Sequence, residues 1–184
     1  MKPLLLVGCG GHAKSVIDLV ESIGTWRILG LVGLPHEVGD HVLGYPVLGS
    51  DDHLSSLRQS CDNIVLSVGH IGYSTKRRHL ESKLSKLNFK FPSIVSPYAI
   101  VSQHASVGLG TTVGHNVVVN AGATVGNHCI LNTGSLVEHD SIICDYCHIS
   151  TCALVNGGVR IGSGSFIGSG ALLREGISIP ENTV

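Results

Sequence analysis

The chain has 184 residues, with 13 acidic against 12 basic side chains and a formal net charge of −1. That balance gives no pull toward nucleic acid or an anionic membrane surface, and no run approaches the roughly 20 apolar residues of a bilayer span. Hydrophobic content of 43% suits one large or two small globular domains, whereas 4% aromatic is low and calls for a core built without rings.

In chain order, Leu4–Val7 is an apolar run closed by glycine, the pattern of a buried parallel strand. It is too short for a signal peptide, so the expected compartment is the cytoplasm, with the cysteines as reduced thiols. A helix over 12–22 follows, with Ala13, Val16, Ile17 and Val20 at helical spacing. Arg27–Val32 predicts a second strand, and Asp51 or Asp52 is expected to cap a short helix containing Leu54 and Leu57. Ile64–Val68 predicts a third strand, ending at Gly69. Ser74–Leu87 predicts a helix with Leu80, Leu84 and Leu87 on one face. Its Lys76-Arg77-Arg78 run reads as a solvated face, with a phosphate contact as the alternative. Alternating strands and helices argue a small Rossmann-like α/β domain over residues 1–92.

The first strand–helix junction, Gly8-Cys-Gly-Gly-His12, lets backbone approach a phosphate at a helix N-terminus. Gly8-x-Gly10-x-x-Ala13 nearly fits a dinucleotide fingerprint, but the acidic residue expected about 20 positions on is missing from Leu31-Val-Gly-Leu-Pro35. NAD is therefore not expected. A uridine or cytidine diphospho-sugar fits better, with Gly8, Gly10 and Gly11 at the phosphates and His12 and Lys14 near sugar or phosphate. A tight turn without ligand is the alternative reading.

From Val95 to Ile179 every sixth residue is aliphatic, fifteen times in succession. With about a third of residues aliphatic, chance gives such a series on the order of 10⁻⁷. The position four further on is small: eleven of the fourteen residues from Ala99 to Ile177 are Ala, Cys, Ser or Thr. Large and small inward residues alternate along flat walls, three walls make a triangular coil of roughly 18 residues, and residues 93–184 give about five coils. Position two favours Gly or Asn (Gly108, Gly114, Asn120, Gly126, Asn132), where a corner with positive φ is expected. A core of stacked Val, Ile and Ala explains the scarcity of rings.

Four features resemble the bacterial sugar acetyltransferases of the left-handed β-helix superfamily. They are Gly8-Cys-Gly-Gly-His12-Ala-Lys14, Leu43-Gly-Tyr-Pro-Val-Leu-Gly49, the hexads, and Leu131-Asn-Thr-Gly-Ser-Leu-Val-Glu-His-Asp140. The closer group acetylates nucleotide-linked amino sugars for surface glycans; sialic-acid O-acetyltransferases are similar. The resemblance spans essentially the whole chain and implies left-handed coils, a homotrimer, and acetyl-CoA as donor between neighbouring helices, with no metal. It departs at Gly33-Leu34, where related sequences often carry an Asp-Asp pair.

The resemblance implies His139 as the base, oriented by Asp140, with Asn132 on the acceptor sugar and His148 and Gly157 on acetyl-CoA. By the aliphatic register His139 lies outside, near a corner. An imidazole titrating near 6.5 suits a base that takes a proton from an attacking amine or hydroxyl. Adjacent residues on a strand point apart, so Asp140 reaches His139 only where the chain bends. Each residue also has a plainer reading: His139 as one surface histidine among eleven, Asn132 and Gly157 as corner residues. Cys144-Asp-Tyr-Cys147-His148 spells a haem-attachment pattern, but the register turns Cys147 inward, which argues against haem or a shared zinc. Two other classes compete with the transferase. A zinc lyase of β-helical type would want three histidines on one face. A non-catalytic sugar-nucleotide binder draws weight from relatives that continue for another coil beyond the position of Val184.

Overall fold

A computed structural model describes residues 1–184. The chain divides into two compact units, Met1–Gly69 with Arg77–Pro92, and His70–Lys76 with Ser93–Val184.

In the first unit, β1 (Lys2–Val7), α1 (Gly11–Ile23), β2 (Trp26–Val32), β3 (His41–Val42), β4 (Tyr45–Gly49), α2 (Leu54–Ser60), β5 (Ile64–Leu66) and α3 (Thr75–Lys86) follow in order. The sheet runs β3-β4-β2-β1-β5, parallel except for the β3–β4 hairpin. Leu5, Val7, Val32, Ile64 and Leu66 pack with Leu54 and Leu84. α1 ends at Gly24, whose φ of 69° supplies the left-handed turn that stops a helix. Three expectations change. The residue at the N-cap position of α2 is His53, which ends a short 3₁₀ turn that opens at Ser50 and contains Asp51 and Asp52, so neither Asp caps the helix. The β3–β4 hairpin, turning on Leu43 (φ 49°) and Gly44 (φ 85°), lies where no strand was expected. And Arg77, expected on a solvated face, is fully buried.

The second unit is a prism of dipeptide strands in three parallel five-stranded walls. The first wall holds Ile94–Val95, Thr112–Val113, Ile130–Leu131, His148–Ile149 and Phe166–Ile167. The second holds Ile100–Val101, Val118–Val119, Leu136–Val137, Leu154–Val155 and Leu172–Leu173. The third holds Ser106–Val107, Thr124–Val125, Ile142–Ile143, Arg160–Ile161 and Ser178–Ile179. Partners within a wall are 18 residues apart, as Val119 with Val137 and Val125 with Ile143. The second residue of each strand points in, and Val113, Val119, Val137, Ile149, Val155 and Ile161 are fully buried. Burying such a side chain contributes roughly 1.5–3 kcal/mol.

The small inward residues do more than fill space. Thr111 Oγ1 donates to Gly126 O (2.8 Å), Ser141 Oγ to Asn156 O (2.9 Å) and Ser165 Oγ to Pro180 O (2.9 Å). The thiols of Cys129 and Cys147 repeat the contact on Cys144 O and Gly162 O at 3.1 and 3.2 Å. Every bond spans fifteen residues, so these buried hydroxyls and thiols are satisfied on the next coil's corner carbonyl; the equivalent Ser135 Oγ makes no such bond. Cys147 thus faces the core.

The corners correct the sequence reading. Positive φ recurs at every sixth residue from Gly110 to Asn182, at position four of the hexad, and includes His128, Asp140, Tyr146 and Cys152. None of the position-two residues has it. Their small size answers crowding between coils: a Cβ on Gly108 would lie 2.5 Å from the carbonyl carbon of Gly126.

Candidate active site

The second and third walls meet along an edge that carries Glu138, His139 and Asp140 between the strands Leu136–Val137 and Ile142–Ile143. Asp140 takes the left-handed corner conformation (φ 60°), which Asp tolerates better than most residues. That bend brings its Oδ2 to 2.9 Å from His139 Nδ1. A carboxylate only accepts, so Nδ1 carries the hydrogen and Nε2 presents its lone pair. The His139 side chain is 59% exposed and that of Asp140 74%. The imidazole pKa is raised above 6.5, chiefly by the hydrogen bond to Asp140, with the charges of Asp140, Glu138 and Glu175 adding to it.

Neighbouring coils shape the space around the ring. Gly157 stacks one coil on, where a Cβ would lie 2.8 Å from both Cε1 and Nε2 of His139. Gly158 N–H donates to His139 O at 3.0 Å. Glu138 is a functional neighbour that the sequence reading missed: its Oε2 accepts from His139 N–H (3.2 Å) and from Asn120 Nδ2 (2.9 Å). The 18-residue repeat is the signal that pairs Asn120 with Glu138.

His139, Asp140 and Gly157 therefore come together, and the other proposed contacts in this unit lie elsewhere in the protomer. Asn132 stands on the edge between the first and second walls, its Oδ1 accepting Thr133 N–H at 2.8 Å. His148 projects from the first wall and is buried, its Nδ1 donating to His70 O at 2.7 Å and its ring edge-on to His70 and Phe166. No three His, Cys, Asp or Glu side chains gather at metal-binding spacing.

In the first unit, α1 begins at Gly11 without a side-chain cap and without an acidic residue in its first turn. Its leading N–H groups and its dipole thus suit an anion. Gly8 (φ 113°) requires the conformation that glycine tolerates. Beside this loop is a cleft of about 320 Å³ whose walls include Cys9, Lys14, Glu37, Asp40 and His41. Burial, then the carboxylates of Glu37 and Asp40, push the Cys9 thiol up to about 11, so it stays protonated. At Gly33-Leu34 a carboxylate arrives from a different place: Glu37 Oε2 accepts Leu34 N–H at 2.6 Å and stands 2.6 Å from where a Cβ on Gly33 would be. Glu37, Asp40 and His41 carried no sequence signal, because neither the 3₁₀ turn that ends at Glu37 nor the β3–β4 hairpin that begins at His41 was foreseen.

The PglD N-terminal domain family matches residues 3–84. The acetyltransferase domain of PglB from Neisseria gonorrhoeae FA1090, in a structure with acetyl coenzyme A, is 34% identical over 98% of this chain and 85% of that one, with a TM-score of 0.88. A mutant of perosamine N-acetyltransferase from Caulobacter crescentus, in complex with CoA and GDP-perosamine, is 27% identical over 98% of this chain and 91% of that one, with a TM-score of 0.78. WeeI from Acinetobacter baumannii AYE, 22% identical over 98% of this chain and 94% of that one at a TM-score of 0.76, shares the fold. The chain belongs to the bacterial sugar acetyltransferases of the left-handed β-helix type, carrying a PglD N-terminal domain ahead of its coils.

Proposed function

We propose that the protein transfers an acetyl group from acetyl-CoA to the amino group of a nucleotide-linked sugar, with His139 as general base. The observation that carries this reading is the His139–Asp140 pair, hydrogen-bonded at 2.9 Å on an open edge with glycine in the coil above. Its relatives support the substrates: PglB with acetyl coenzyme A, and perosamine N-acetyltransferase with CoA and GDP-perosamine.

Acetyl-CoA supplies the acetyl thioester. As the amine nitrogen bonds to the thioester carbonyl carbon and the carbon–sulfur bond breaks, His139 Nε2 takes the amine proton and returns it to the departing sulfur. Asp140 holds the ring by Nδ1–H and favours the transient imidazolium, and Glu138 fixes the backbone at the corner. Such a base contributes typically 10²- to 10⁴-fold. The Gly8, Gly10, Gly11, His12 and Lys14 loop binds the nucleotide sugar, with the diphosphate at the start of α1.

The working assembly is a homotrimer packed through the second wall. Its outward column is Ile100, Val118, Leu136, Leu154 and Leu172, with Ile100 68% and Leu172 63% exposed. The third wall instead shows Ser106, Thr124, Ile142, Arg160 and Ser178. Five outward aliphatics in line on one wall suit burial against a second copy. The second wall is bordered by the Asn132 edge on one side and the His139 edge on the other. Three such walls around an axis set each His139 edge against the next copy's Asn132 edge. That supports an acceptor role for Asn132 and a donor cleft beside Gly157 between copies, whereas His148, buried against His70 and Phe166, lies off this edge. No helix is long and apolar enough to cross a membrane, and the cytoplasm is the proposed compartment.

The test is incubation of the protein with acetyl-CoA and a panel of nucleotide-linked amino sugars and free sialic acids, following thiol release. Turnover on an amino sugar nucleotide supports the proposal. Turnover on sialic acids alone replaces it with O-acetylation, and the absence of thiol release with acceptors of either kind rejects it.

A further inference from the structure

Residues 67–69 continue from β5, but sheet pairing with β1 ends at Leu66, and Ser67 N–H makes one last backbone bond, to Val7 O at 2.9 Å. Side chains hold the segment from there. Arg77 on α3 is 0% exposed, and its Nη1 donates to Leu66 O at 3.0 Å and Val68 O at 2.6 Å. A guanidinium stays charged at every accessible pH, and a buried one is tolerated only when acceptors surround it. The two carbonyls that flank Ser67 are thereby tied to one rigid fork.

Each residue of the tied segment touches the glycine loop. Ser67, 1% exposed, donates its hydroxyl to Gly8 O at 2.8 Å. Val68 Cγ2 fills the place a side chain on Gly8 would take, 2.5 Å from its ideal Cβ. Gly69 leaves room for His12, whose Cβ would lie 3.1 Å from a Cβ at 69. These bonds connect Arg77 to the Gly8–His12 loop by way of the residues that touch it.

We propose that Arg77 is a positioning residue for nucleotide-sugar binding: it anchors residues 66–68, and Ser67, Val68 and Gly69 in turn hold the Gly8–His12 loop and the first turn of α1 in the binding conformation. This rests on the reading of that loop as the nucleotide-sugar site. A loop already held in its bound shape has less freedom to lose when the ligand arrives. Arg77 therefore sets affinity for the nucleotide and leaves donor binding unchanged.

The experiment is calorimetric titration of the full chain with UDP, CDP and GDP, and separately with CoA. The native protein is compared with Ser67→Ala, Arg77→Met, Arg77→Lys, His12→Ala and Lys14→Ala, each melted by circular dichroism. Ser67→Ala and Arg77→Met are expected to weaken the best-bound nucleotide about tenfold. Arg77→Lys is expected to recover most of the loss, and CoA affinity to stay within about twofold. If Arg77→Met does not fold, Ser67→Ala decides. Unchanged nucleotide affinity in Ser67→Ala, or parallel loss of CoA affinity, overturns the proposal. If His12→Ala and Lys14→Ala weaken the nucleotide while Ser67→Ala and the Arg77 variants do not, the site stands and the positioning role fails. If no nucleotide binds the native protein, or His12→Ala and Lys14→Ala leave its affinity unchanged, the proposal falls together with the reading of the loop.

Discussion

Gly157 and His139 stand 18 residues apart on one edge, so close that a methyl on Gly157 would lie 2.8 Å from the imidazole Nε2. The absent side chain is the seat of the ring. Gly157→Ala should push the imidazole aside and lower kcat by roughly 10²-fold, since small displacements of a reacting group carry that scale of loss. Gly157 is not among the glycines with positive φ, so its backbone accepts alanine without strain. The melting temperature of the variant, measured beside its rate, should therefore move little.

His139→Ala removes the proposed base. Turnover should fall about 10²- to 10⁴-fold, while CoA binding by calorimetry persists. Native turnover in this variant would remove His139 from the mechanism.

A general base works in its neutral form, and Asp140 raises the His139 pKa above 6.5. The rate should therefore drop as pH falls through that raised value and level off above it. Asp140→Asn keeps a residue that tolerates the left-handed corner and removes the charge. Its acid limb should move to lower pH, toward 6.5. An unmoved limb in the pH profile of kcat/KM would assign the titration to another group.

Leu154 lies mid-column on the outward face of the second wall. If the proposed trimer packs through this wall, Leu154→Asp should give monomers by light scattering, and turnover should fall with it, because Asn132 and His139 of different copies would no longer meet. A Ser178→Asp control on the third wall should leave both unchanged.

Inside the prism, Ile149 and Ile161 are fully buried. Either residue changed to Ala should cost about 2–5 kcal/mol in a urea titration. Arg160→Ala, on an exposed position of the same strand as Ile161, should stay within about 0.5 kcal/mol.

The hexads announced the walls because one inward residue per strand must be aliphatic, and Val95 to Ile179 obey without exception. The corners were harder to read. Glycine at position two reflects crowding between coils, as at Gly108 over Gly126, whereas the left-handed residues at position four include His128, Asp140, Tyr146 and Cys152, which no glycine rule would find. The same bend makes the His139–Asp140 contact possible. Arg77 was hidden for a different reason. A charge run reads as solvated unless the carbonyls that need its donors are known, and those belong to Leu66 and Val68 at a strand end. The β3–β4 hairpin escaped because its outer strand is only two residues long, too short for a hydrophobic period to show.

The fifteen-residue hydroxyl and thiol bonds tie each coil to its successor alone, which makes the coil the unit of change in length. Whole turns can be lost or gained far from His139 while every surviving bond keeps its partner. A loss of one hexad is different. It would rotate everything downstream by about a third of a revolution, so that the residues now above His139 would be replaced by those of another edge, and Gly157 would no longer make room for the imidazole. Lineages of this enzyme should accordingly vary by full revolutions, and a six-residue deletion between His139 and Gly157 should silence it even where the remaining coils still stack.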